Sequence, residues 1–132
     1  MRITDYLGLP RPISAFEKRY LERMNRVALA FFLAHLPGMM IVAWACDTGP
    51  LSALLLTGFV LAGTVTGYLM LDNPRHKSML FGVTAMLVGG LLVHFGRGPV
   101  QIEMHFYFFA LLAMLCMFAN PAVNLTAAVT VA

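Results

Sequence analysis

The sequence has few charged residues: Lys, Arg, Asp and Glu make up 11% of its 132 residues, whereas 60% are hydrophobic. A soluble domain carries about 25% charged residues, mixed along the chain. This shortage argues against an ordinary soluble domain and is typical of a polytopic membrane protein. The net charge of +3 concerns membrane topology and anionic lipid, and it gives no reason to expect a nucleic-acid partner.

Cysteine and catalytic motifs are scarce as well. Cys46 lies at the far end of the first apolar run and Cys116 near the opposite end of the fourth. A disulfide needs Cα atoms roughly 4.4–6.8 Å apart, whereas these two would be separated by much of a hydrocarbon layer of ~30 Å. We therefore interpret both cysteines as packing residues. The sequence contains no glycine-rich phosphate loop, nucleophile elbow, Cys-x-x-Cys motif or carboxylate pair. We therefore expect that the chain is not a stand-alone enzyme.

Long apolar runs fill most of the chain. They cover residues 27–46, 51–71, 78–95, 102–119 and 121–132. At 1.5 Å per residue the first four are long enough to cross a hydrocarbon layer of ~30 Å, and the last is too short. The predicted fold is an all-α polytopic transmembrane bundle of four spans plus a partial fifth, and the chain looks cut within that fifth run.

Basic residues predict the orientation. They cluster in residues 1–26, and Arg75 and Lys77 lie between the second and third runs. In the gaps that would lie on the other side of the membrane, 47–50 and 96–101, the only basic residue is Arg97. The positive-inside rule then places the N-terminus and residues 72–77 in the cytoplasm, with 47–50 and 96–101 outside.

The N-terminal segment, 1–26, is amphipathic. Ser14 and Glu17 have the spacing of a capping box, and apolar residues recur from there at near-helical intervals between basic ones. This pattern predicts an amphipathic cytoplasmic helix at the membrane interface, preceding the transmembrane domain 27–132. The alternative is that the same helix extends the first span into water.

Small residues are spaced for close helix packing at two places. Gly63 and Gly67 form a Gly-x-x-x-Gly motif in the second run, and Ala85 and Gly89 repeat the spacing in the third. Such residues let helices approach closely in lipid, although the motif is common by chance and names no partner.

Four ionisable residues surround the gap between the third and fourth runs, namely His94, Arg97, Glu103 and His105. We expect His94, Glu103 and His105 to lie near the same outer interface, close enough to meet. Helix dipoles bias His94 towards imidazolium and His105 towards the neutral ring that a metal requires. The group is a candidate ligand or sensing site, with His94 and His105 as a metal pair. Its alternative is a purely structural network that fixes the hairpin between the two spans.

His35 lies inside the first run, two residues before Pro37. A proline there frees the carbonyl of Leu33 and favours a kink. An intramembrane histidine is a functional candidate by default. The alternative is a histidine that hydrogen-bonds a loosened carbonyl across helices. A haem ligated by histidines is also considered, but His35 and His105 lie at different depths.

The last third of the chain resembles a known kind of membrane region. It is similar to the multi-span N-terminal input region of bacterial diguanylate cyclases, sensor histidine kinases and chemotaxis receptors. The family's Gly, acidic residue and His-Phe-x-Phe-Phe positions are matched by Gly98, Glu103, His105, Phe106, Phe108 and Phe109. "ANP" at 119–121 matches the turn that comes next, and "LAHLP" at 33–37 is similar to the family's first span.

The resemblance implies a sensory input module in a bacterial inner membrane, whose signal leaves on the cytoplasmic side and whose stimulus stays open. The family usually continues into further spans and a signalling domain. Two alternatives remain: a small accessory subunit of a larger membrane complex, and a membrane protein that binds haem or a metal through histidines. Expected partners are the lipid bilayer and other membrane helices, in a homo-oligomer or a larger complex.

Overall fold

The computed structural model describes residues 12–132, and every regular element among them is helical. The first eleven residues, part of the predicted segment 1–26, lie outside the described residues. In chain order the helices are α1 (Ala15–Leu33), α2 (His35–Ala45), α3 (Pro50–Met70), α4 (Pro74–Phe95) and α5 (Pro99–Leu115), then a 3₁₀ turn (Cys116–Phe118) and α6 (Pro121–Val131).

Prolines begin four of these helices, α3, α4, α5 and α6. Proline suits the first helical position because its fixed φ matches the helix and its missing N–H has no intrahelical partner there. Asn73 and Asn120 cap α4 and α6 by accepting from Arg75 N and Ala122 N, respectively. These local signals set the connections between the spans.

Four helical stretches are long and apolar enough to cross a membrane. They are Ala15–Ala45, which joins α1 and α2, then Pro50–Met70, Pro74–Phe95 and Pro99–Phe118. The short apolar helix Pro121–Val131 comes last. The predicted all-α bundle of four spans plus a shorter fifth segment is therefore confirmed.

The N-terminal amphipathic segment is continuous with the first span. Ser14 caps α1 by accepting from Glu17 N at 3.1 Å, which confirms half of the capping box. The break between α1 and α2 falls at Ala34, whose φ of −65° and ψ of −18° remain helical. Pro37 explains the break because it has no N–H to donate to Leu33. The segment forms one continuous helix from Ala15 to Leu33, and no separate helix lies between residues 12 and 33.

Helix α4 is the centre of the bundle and packs against every other helix. Its glycines allow close approach: a Cβ on Gly82 would lie 2.7 Å from Val123 O of α6. A Cβ on Gly89 would lie 2.8 Å from the Phe108 ring of α5. Phe81 stacks between Phe32 of α1 and Phe118 of the 3₁₀ turn. The fifth segment and the first span are thus both held on α4.

Candidate functional site

The outer group does not come together. His94 is exposed, and its ring contacts Phe95 with centroids 5.0 Å apart. His105 is exposed and bonds its own helix through Nδ1, 2.8 Å from Gln101 O. Between residues 12 and 132, no hydrogen bond or ion pair joins His94, Arg97, Glu103 and His105 to one another.

The expected meeting of these side chains is therefore not seen among the hydrogen bonds and ion pairs of residues 12–132, and the rotation of α5 about its axis explains why. The helix begins at Pro99, three residues before the predicted run, and Met104 turns towards the bundle. Glu103 and His105 then lie about 100° on either side of Met104. Neither points into the bundle or towards the other.

Other residues hold the hairpins at the end of the bundle where α2 ends and α5 begins. Gln101 Nε2 donates to Val93 O at 3.2 Å, which ties the start of α5 to α4. Thr48 Oγ1 donates to Phe95 O at 2.7 Å, which ties the first loop to the end of α4. Sequence reasoning missed both residues because they are uncharged polar residues in the gaps between the predicted apolar runs, where such residues are common.

The described part of the chain holds no group of three or more His, Cys, Asp or Glu side chains arranged for a metal ion. His94 and His105 are thus not part of a larger ligand set there. As a metal pair they stay a prediction.

His35 makes the contact that the outer group lacks. Its Nε2 lies 2.6 Å from the hydroxyl of Tyr107 on α5, and its Nδ1 lies 2.9 Å from Phe31 O. Both side chains are half-buried. His35 is eight residues from the N-terminal end of the first predicted run, and Tyr107 is eight from the start of α5. At 1.5 Å per residue each lies ~12 Å from its end of the bundle, well inside the apolar spans.

The directions of these hydrogen bonds depend on the groups involved. A carbonyl only accepts, so His35 Nδ1–H donates to Phe31 O; in the neutral tautomer that carries this proton, Nε2 accepts from the Tyr107 hydroxyl. Both ring nitrogens are engaged. A haem or metal at His35 would have to displace one of these bonds.

At the other end of the bundle, Asn25 is fully buried and joins α1 to α4. Its Nδ2 donates to Pro74 O at 3.0 Å, and its Oδ1 accepts from Ser78 Oγ at 2.9 Å. Burying an amide is tolerated because both ends are bonded. Asn25 continues a buried stripe with Leu21 and Ala28, a signal that the sequence did contain.

Two further contacts fix this end. The Arg75 guanidinium donates to both Glu17 carboxylate oxygens, at 2.7 and 2.9 Å. These hydrogen bonds hold the pKa of Glu17 below its ordinary value. Both residues lie outside the apolar runs. The Tyr20 hydroxyl donates to Met117 O at 2.6 Å. The start of α1, the start of α4 and the end of α5 therefore share one side, as four spans require.

Comparison with models of known protein families, with curated proteins and with solved structures gives no match for this chain. Any function assigned to the chain therefore rests on its fold and on the contacts within it.

Proposed function

We propose that this chain is a membrane-embedded sensory input module of a bacterial signalling protein, placed in the inner membrane with its N-terminus in the cytoplasm. The observation that carries the proposal is the hydrogen bond between His35 and Tyr107. It connects the first span to the fourth at a depth well inside the apolar spans, where water does not compete for either group. Polar contacts between helices at this depth contribute about 0.6–2 kcal/mol.

The surroundings of this contact favour a switching role. His35 begins α2 directly after the break at Ala34, so the helix is locally weakened where the contact forms. The fourth span otherwise packs mainly on α4. A stimulus that changes the His35 contact would therefore alter how the first span sits against the fourth. Signalling proteins use small helix shifts of this kind. The resemblance of 33–37 and 98–109 to bacterial input regions agrees with the role.

The test compares two tyrosines. Tyr107→Phe removes only the hydroxyl that bonds His35, whereas Tyr68→Phe removes one that makes no hydrogen bond within residues 12–132. The variants are placed in the native protein at equal membrane abundance. Cyclic dinucleotide level and phosphotransfer are then measured with and without candidate stimuli. We expect Tyr107→Phe, and not Tyr68→Phe, to change the basal output or the response.

Two results would overturn the input role. One is a native polypeptide no larger than these 132 residues that has no signalling partner. The other is an unchanged output in both Tyr107→Phe and His35→Phe proteins that fold normally.

The second candidate function is an accessory subunit of a larger membrane complex. Ile102, Phe106 and Phe109 form an exposed stripe along α5, with 70%, 66% and 69% of their surfaces accessible. Such a stripe suits a partner helix as well as lipid. Cysteine cross-linking at these positions in native membranes tests it: a single heterologous product of fixed mass supports a complex, and reaction only with lipid-soluble probes argues against one.

A further inference from the structure

The N-terminal half of α1 carries a basic face, which we define as Arg19, Arg23 and Arg26. All three are exposed, and their spacing of four and three residues puts them on one line of the helix. Phe16, 76% exposed, continues this line towards the N-terminus, and Val27, 52% exposed, continues it towards the span.

From Pro12 onwards none of the guanidinium groups of the basic face pairs with a carboxylate, although Glu22 lies on the same helix, three residues from Arg19 and four from Arg26. Arg19 Nε and Arg26 Nε make only long bonds of 3.4 Å to carbonyls one turn back. The nearby carboxylate of Glu17 accepts from Arg75.

Two shallow grooves meet on this face. Phe16, Arg19, Tyr20 and Arg23 line one of about 360 Å³. Arg23, Arg26, Val27 and Ala30 line another of about 450 Å³. They share Arg23. The surface is therefore aromatic at one end, basic in the middle and apolar at the end that enters the span.

The hydrogen bonds of Asn25 fix the position of this surface along the axis of the bundle. This residue is bonded to Pro74, the first residue of α4, so Arg23 and Arg26 lie near the end of the spans. Residues 16–20 lie beyond it. The basic face is thus at the height of phospholipid headgroups, and Val27 and Ala30 are at the height of the acyl chains.

We propose that the basic face binds the phosphate of an anionic phospholipid, whose acyl chain lies along Val27 and Ala30. Arginine forks donate two parallel hydrogen bonds to phosphate oxygens, and the three here form no ion pair within residues 12–132. The order of charged and apolar groups along α1 matches that along a lipid from headgroup to chain. A soluble anion would use the arginines but leave the apolar groove unfilled. The site is independent of the sensory role.

The test uses the whole chain in detergent, titrated with phosphatidylglycerol or with neutral phosphatidylcholine, and bound lipid is counted by native mass spectrometry. Arg23→Gln should weaken phosphatidylglycerol binding about five-fold, since each basic residue near an anionic surface contributes a similar factor. Arg19→Gln/Arg23→Gln should abolish the preference over phosphatidylcholine. Arg97→Gln is the matched control because it removes an exposed arginine at the other end of the bundle.

Three outcomes would overturn the proposal: unchanged phosphatidylglycerol binding in the double variant, an equal loss in Arg97→Gln, or displacement of the lipid by millimolar inorganic phosphate. The last would assign the arginines to a soluble anion. Circular dichroism of each variant shows whether a loss reflects unfolding, and Arg23→Lys, which keeps the charge, should retain most of the binding.

Discussion

The packing of α6 on α4 depends on the missing side chain at Gly82. A Cβ there would lie 2.7 Å from the backbone oxygen of Val123 and 3.5 Å from its Cγ1. The partner is backbone, so it cannot rotate away. For Gly82→Ala to reach an ordinary contact of 3.4 Å, α6 must retreat by the difference of about 0.7 Å.

The size of the effect depends on two opposing terms. Overpacking of this kind destabilises by about 1–3 kcal/mol, whereas replacing glycine by alanine inside a helix stabilises by about 1 kcal/mol. Gly90→Ala isolates the second term, because Gly90 is exposed on the same helix and a Cβ there meets nothing within 4 Å. The two variants should therefore differ in unfolding free energy by about 1–3 kcal/mol.

Equilibrium unfolding in detergent micelles measures this difference. Gly89→Ala gives an intermediate case, because its Cβ would meet the end of the Phe108 ring, which can turn. We expect stability to fall in the order Gly90→Ala, Gly89→Ala, Gly82→Ala. If the unfolding free energies of Gly82→Ala and Gly90→Ala differ by less than about 0.5 kcal/mol, then α6 does not pack on α4 as it does in the structure.

Three further predictions concern the inner end and the topology. Asn25→Ala should lower the unfolding free energy by about 1–3 kcal/mol, because it removes two buried hydrogen bonds between α1 and α4; a change in unfolding free energy near zero would contradict this. The hydrogen bonds with Arg75 lower the pKa of Glu17 from 4.5. Their contribution to the free energy of unfolding is therefore present above about pH 4.5 and is lost as the pH falls through the lowered pKa. Glu17→Gln should flatten this acid side of the stability profile, and an unchanged profile would argue against the pair. A reporter fused after Lys77 should be cytoplasmic and one after Arg97 periplasmic; the reverse would overturn the positive-inside argument.

The number and type of elements could be predicted from sequence because both signals are local. Hydropathy defines the spans, and the prolines at 50, 74, 99 and 121 mark where helices begin. The rotation of each helix about its axis could not be predicted. The apolar residues of α5 favour no one side of the helix, so no periodic stripe shows which face is buried.

Helix pairing could be predicted in part. Gly67 of the Gly-x-x-x-Gly motif and Gly89 of the second small-residue pair lie at close contacts between helices, since a Cβ on either would come within 2.8 Å of Leu80 or Phe108, respectively. Gly63 is exposed and faces open space, whereas Gly82, outside both predicted motifs, contacts backbone. The site shows the same limit. His35 could be selected because a histidine inside a span is unusual, but its partner Tyr107 is one of several aromatics on α5. Only the three-dimensional arrangement places the two together.

The outer loops give a last test of where the hairpins are held. Thr48 Oγ1 donates to Phe95 O at 2.7 Å, and Phe95 is buried, so Thr48→Val should leave that carbonyl without its partner. We expect a loss of about 1–2 kcal/mol in unfolding free energy. Glu103→Gln and His105→Phe alter exposed side chains that make no hydrogen bond across the hairpin within residues 12–132, so each should stay within about 0.5 kcal/mol of the unmodified chain. Unfolding of all three in the same lipid and detergent mixture decides the matter. If His105→Phe unfolds the protein and Thr48→Val does not, the charged residues hold the outer end after all, and the assignment of that role to Thr48 fails.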